Sequence, residues 1–233
     1  MSTKRLKLGF LTIGQSPRVD VVPEVLSLIG ARVDVVEAGA LDGMEYEEIL
    51  EKLSPSEGDV VYVSRLRDGR QVKMGKSKLI PLMQRKIQEL NEAGASLIVI
   101  LCSGEFPRFE SEAPILYLDR VLKAFVEPLA AGVRRAAVLV PLEEQVEYAK
   151  DKWGKYFPEL IVKPISPYTA SQKDFKNMAR ELSEANIELV IMDCIGYNTM
   201  QRKAVEETGA LVITTRTSLA RYLAEVLPLK HSS

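Results

Sequence analysis

The chain has 233 residues, with 46% hydrophobic and 27% charged side chains. That is the composition of an ordinary globular protein, long enough for two modest domains. Lys and Arg number 31 and Asp and Glu 32, for a formal net charge of −1. This balance excludes the basic excess of a dedicated nucleic-acid binder. The only histidine is His231, near the C-terminal end. An intrachain Ser-His-Asp triad and a histidine-rich zinc site are therefore unavailable. Two cysteines make neither a four-cysteine metal site nor a disulfide framework. The basic start, Met1 to Lys7, is followed by an apolar run that breaks at Gly14–Gln15–Ser16–Pro17, too short for a signal peptide. No apolar run approaches the roughly 20 residues of a spanning helix. A cytoplasmic protein with free thiols is expected, without membrane or nucleic-acid partners.

In chain order, Leu8–Ile13 reads as a buried strand and Val19–Ile29 as a helix, followed by a strand over Val33–Glu37 and a helix over Tyr46–Leu53. Val60–Ser64 is a strand, and Asp68–Gly69 turns the chain into Gln71–Met74. Lys78–Ala93 is amphipathic and stops at Gly94; Ser96–Leu101 is a continuous apolar strand. The second half repeats the theme: strand Ile115–Leu118, helix Leu122–Ala131, strand Ala136–Val140, helix Glu143–Tyr156 and strand Leu160–Ile165. Helix Ser171–Asn186 can be capped by Ser171. Strand Glu188–Met192, helix Thr199–Thr208, strand Leu211–Thr214 and helix Ser218–Leu227 complete the chain. Such alternation predicts parallel βαβ units and an α/β fold.

Two segments share one device. SLIVILC ends at Cys102 and ELVIMDC at Cys194, and a glycine-containing turn follows each. Ligands of open α/β sheets bind at the carboxyl ends of strands. A thiol on each side of a ligand can take a proton from one face of a carbon and return one to the other, without metal or organic cofactor. A thiolate at a helix N-terminus is stabilised by the amides there. The plain alternative is that both cysteines are core residues, because free Cys is common in buried strands.

The two Cys-ended strands resemble the aspartate/glutamate/hydantoin racemase superfamily. LGFLTIGQSPR, VSRLRDGRQV and MDCIGYN are similar more narrowly to its AroM family, from about Leu8 to about Leu227. The resemblance implies two similar flavodoxin-like parallel-sheet domains related by a pseudo-two-fold axis, with the active cleft between them. The domains would be residues 1–118, joined by the last helix at about 217–228, and 119–216. It implies an isomerase of the cofactor-independent racemase type acting on a small carboxylate, with Cys102 and Cys194 as the acid/base pair. The family name points to the neighbourhood of aromatic amino-acid biosynthesis. The surroundings depart from characterised racemases. Ser103–Gly104–Glu105 follows Cys102 in place of Asn-Thr. Ile195–Gly196 follows Cys194 in place of Thr-His, and Gln15–Ser16 replaces Asp-Ser. Glutamate is thereby disfavoured as substrate.

The remaining candidate contacts lie at strand ends. Thr12, Gln15, Ser16 and Arg18 form a candidate anion cradle around Gly14. Gln15 stands where a phosphate-binding loop needs Lys, and no G-x-G-x-x-G follows a strand, so nucleotide motifs are excluded. Ser64 and Arg65 end the third strand, and Arg65 or Arg67 suits a bidentate carboxylate contact, the alternative being two exposed hairpin arginines. Ser103 and Gly104 offer backbone amides. Tyr197 and Asn198 sit beside Cys194, and Thr215 or Arg216 ends the last strand. Asp193 is expected on the face opposite Cys194. Trp153, Tyr148 and Tyr156 read as helix packing. Two other functions stay open: a carboxylate-binding or regulatory protein that lost the chemistry, and a one-cysteine decarboxylase or lyase. A redox switch needs the thiols to meet and ranks last. A homodimer is expected only as the commonest soluble oligomer.

Overall fold

The computed structural model describes residues 6–30 and 33–228. His231 and the expected frayed tail lie outside them. The chain forms two compact units: one runs to Asp119 and resumes at Leu223, and the other spans Arg120–Tyr222.

The first unit opens with β1 (Lys7–Thr12), α1 (Val22–Ile29), β2 (Asp34–Gly39) and α2 (Tyr46–Leu53). The hairpin β3 (Val61–Arg65) and β4 (Gln71–Gly75) follows, then α3 (Lys76–Glu92), β5 (Leu97–Ile100) and β6 (Ile115–Tyr117). The parallel sheet has the order β2-β1-β5-β6, while β3 and β4 form a separate antiparallel ribbon. Leu8, Phe10 and Leu11 of β1 and Ile98, Val99 and Ile100 of β5 are fully buried, as expected of strands covered on both faces. Gly9 lets β1 pass close to Ala95, whose Cβ would stand 3.1 Å from an added one. Helix α3 turns Leu79, Met83, Ile87 and Leu90 inward at helical spacing. Helix α1 begins at Val22 rather than Val19. The backbone before it is already committed, with the Arg18 N–H donating to Glu37 and the Arg18 carbonyl accepting from Val21 and Val22.

Helix α4 (Leu118–Ala130) follows β6 directly, and the second unit continues with β7 (Arg135–Val140). The segment expected as one helix from Glu143 starts as a 3₁₀ turn, Glu143–Gln145, and is α-helical only over α5 (Val146–Trp153). Then come β8 (Glu159–Pro164), α6 (Gln172–Glu184), β9 (Leu189–Met192), α7 (Thr199–Glu206), β10 (Leu211–Thr214) and α8 (Thr215–Val226). The sheet order is β10-β9-β7-β8, all parallel. This is the first unit's order with the hairpin set aside, so the fold is α/β with two similar four-stranded parallel sheets. Alternation sorts the side chains: Val138 and Ile191 pack with Trp153 on one face, and Leu139 and Met192 with Phe175 on the other. Helix α8 starts three residues earlier than expected, because Thr214 Oγ1 accepts the Thr217 N–H and caps the turn. No helix among the described residues is long and apolar enough to cross a membrane.

Candidate functional site

In the first unit, Cys102 follows β5 and the loop 13–18 follows β1. These strands are parallel neighbours, so both segments leave the same edge of the sheet. The Cys102 thiol is half-buried, and its Sγ accepts the N–H of Gly104 at 3.4 Å. A thiolate accepts such a bond more strongly than a thiol does. The position of Gly104 depends on β3: a Cβ built there would stand 2.5 Å from the ring of Tyr62. Tyr62 Oη in turn donates to the Glu105 carbonyl at 2.9 Å. Two residues along, Ser64 lies against Gly14 so closely that a Cβ at 14 would collide with its hydroxyl. The hairpin therefore braces both loops. Ser64 Oγ is buried and has no hydrogen-bond partner among the described residues, an arrangement that calls for a ligand or a water.

The residues of the first-strand loop are heavily engaged with their own fold. Thr12 Oγ1 accepts from the Gly14 N–H at 3.2 Å and from Arg18 Nη1 at 3.0 Å. Ser16 donates through its hydroxyl and its N–H to Asp42, at 2.6 and 2.8 Å. Gln15 donates to the Met44 carbonyl and accepts the Arg67 N–H, both at 3.0 Å. Arg18 is buried and forks onto Asp20 at 2.8 Å for each arm. Arg65 is half-buried, and its Nε donates to the Gly69 carbonyl at 3.3 Å. Ser103 is buried within the Cys102 turn.

The second unit builds the same motif from different neighbours. Cys194 follows β9 and is buried, with Sγ accepting the Gly196 N–H at 3.3 Å. A Cβ at Gly196 would stand 2.8 Å from Tyr168 Oη and 2.9 Å from Pro167. Each candidate thiol thus sits in a Cys-x-Gly turn whose glycine is packed beneath a tyrosine. Arg216, 1% exposed, donates to the Ile195 carbonyl from Nε and Nη2 at 3.2 and 3.0 Å, and to the Gly196 carbonyl at 3.1 Å. It fixes the turn and brings a buried positive charge to it. Asp193 points away from the thiol, as alternation requires, and binds Lys152 Nζ at 2.8 Å and Trp153 Nε1 at 2.7 Å.

Three other candidates in this unit have defined partners. Tyr197 is fully buried, and its hydroxyl donates to the Ile165 carbonyl at 2.8 Å. Burial, followed by the electrostatic influence of Cys194 and Asp193, holds its phenol well above the ordinary 10.0. Asn198 caps α7, with Oδ1 accepting the Gln201 N–H at 2.9 Å. Thr215 Oγ1 donates to the Met192 carbonyl at 3.2 Å. Sequence reasoning missed the bracing by Tyr62 and Tyr168, the turn-holding bonds of Arg216 and the role of Trp153 beneath Asp193. All of these depend on long-range packing. Among the described residues, no group of three or more His, Cys, Asp and Glu side chains could hold a metal ion.

Solved structures share the fold of this chain. The allantoin racemase from Klebsiella pneumoniae superposes with a TM-score of 0.58 at 12% identity, over 95% of this chain and 87% of that one. The maleate isomerase Iso from Pseudomonas putida S16 gives 0.58 at 14% identity, over 96% and 93%. The Picrophilus torridus aspartate racemase gives 0.55 at 16% identity, over 94% and 93%. At such identities the shared property is the fold. The chain belongs to the AroM family, whose model, described as AroM protein, matches residues 8–227. No curated protein sequence matches the chain at a significant level.

Proposed function

We propose that the protein is a racemase- or isomerase-type enzyme that works without metal or organic cofactor on a small carboxylate, such as an amino acid, a hydantoin or a hydroxy acid. Cys102 and Cys194 are its proton-transfer pair. The observation that carries this reading is the repeated Cys-x-Gly turn after the third parallel strand of each sheet, with a backbone N–H donated to each sulfur at 3.4 and 3.3 Å. The racemases and the isomerase that share the fold support the reaction class. In the proposed step one thiolate takes the proton from the carbon next to the carboxylate. The electron pair moves into an enolate, and the other thiol protonates that carbon from the opposite face. The buried Ser64 hydroxyl and the Ser103 amide are the proposed contacts to the substrate.

The test is to incubate single enantiomers of small amino acids, hydroxy acids and hydantoins with the protein in deuterium oxide. Loss of the C–H signal and of optical rotation are followed together. Racemisation with solvent deuterium incorporation is expected for one class. Cys102→Ser and Cys194→Ser should each reduce it by at least about a thousandfold, since each removes an acid/base group and its partner cannot act alone. Full activity in either variant would overturn the two-base mechanism. The unequal burial of the thiols favours a second reading, a decarboxylase or lyase that uses only the more accessible Cys102. It predicts that Cys194→Ser keeps its turnover.

A further inference from the structure

A cavity of about 260 Å³ lies within the first unit, between the loop after β1 and the tip of the β3–β4 hairpin. Its charged lining is Arg18, Arg65, Arg67 and Asp20, and Pro17, Val19 and Leu66 supply an apolar wall. The three guanidinium groups are not equivalent. Arg18 is neutralised by the forked contact with Asp20. Arg67 reaches Asp42 at 3.3 Å and donates to the Ser16 carbonyl. Arg65 has no carboxylate within ion-pair distance among the described residues, and its Nε donates only to the Gly69 carbonyl. That guanidinium is nevertheless held in place. Gly69 has a φ of +92°, and a Cβ there would stand 2.9 Å from Arg65 Nη2, so the turn glycine makes room for the arginine to lie across it. A half-buried, permanently charged fork that has no carboxylate partner among the described residues, is fixed by a turn and lines a cavity has the requirements of an oxyanion receptor.

We infer that this pocket binds the oxyanion head of a small organic acid or phosphate ester, gripped by Arg65, with an apolar body against Val19, Pro17 and Leu66. The inference extends the small-carboxylate reading, but its test reads binding alone, so it fails separately from the cysteine chemistry. Butyrate, n-butyl phosphate and the uncharged butyramide are titrated into the full chain by calorimetry at constant ionic strength. Saturable binding of at least one of the two anions is expected, with none for butyramide. Butyrate alone would assign carboxylic acids, and butyl phosphate alone would assign phosphate esters. Arg65→Met should weaken binding at least about tenfold, the loss expected when a charged hydrogen bond is removed. Arg65→Lys should weaken it less, since it keeps the charge and loses the fork. Arg85→Met, on the exposed side of α3, should bind as the natural chain does. Absence of saturable binding by both anions would overturn the inference. So would full affinity in both Arg65 variants.

Discussion

Tyr197 shows how a residue beside a candidate thiol can serve the fold. Its hydroxyl is enclosed, donates to Ile165 and is held well above an ordinary phenol by burial and the electrostatic influence of Cys194 and Asp193. Above pH 10 the unfolded chain releases this proton while the folded chain keeps it. The folded state then binds more protons, and stability falls as pH rises, by up to about 1.4 kcal/mol per pH unit for one group. Below pH 10 the contribution is constant. Urea unfolding from pH 8 to 11 should therefore show a decline above pH 10 that is shallower in Tyr197→Phe; an identical decline would remove Tyr197 as its source. At this scale the sequence was only partly legible. The cysteines announce themselves by ending apolar runs. The pairing of Arg18 with Asp20 does not, because whether two nearby opposite charges form a buried fork depends on what covers them.

At the scale of elements, two capping boxes invite comparison. Ser171 and Asp174 exchange bonds at the start of α6, and Asn198 and Gln201 do the same for α7. The first was legible as a cap. The second is written just as openly, as Asn-x-x-Gln, two residues of a pattern that also lies next to Cys194 and so suits substrate contact equally in the sequence. Ser171→Ala and Asn198→Ala should each lower stability by about 1 kcal/mol, read as a shift of the urea midpoint. A neutral Asn198→Ala would show that this cap contributes nothing. Strands and most helices were legible because apolar periodicity reports burial directly. The split of the segment after β7 into a 3₁₀ turn and a short helix was not, since Glu143, Glu144 and Gln145 suit either form. Nor could the sequence say that β3 and β4 stand apart from the parallel sheet, because hydrogen-bond partners between strands are set by tertiary packing.

For the whole molecule, one strand order repeats in two units whose loops differ. The thiols, equivalent in topology, differ in access: Cys102 is half-buried and Cys194 is buried. In the folded chain Cys102 should be alkylated first, with each position quantified by mass spectrometry, and both should react at similar rates in denaturant. Faster modification of Cys194 would contradict the burial of the two sites. One feature of the second unit extends beyond chemistry. Trp153 is the chain's single tryptophan; it is fully enclosed, and its indole N–H is bonded to Asp193, the residue before Cys194. The natural protein thus carries its one indole fluorophore in the second unit, so events at the second cysteine have an optical signal of their own without any dye or tag.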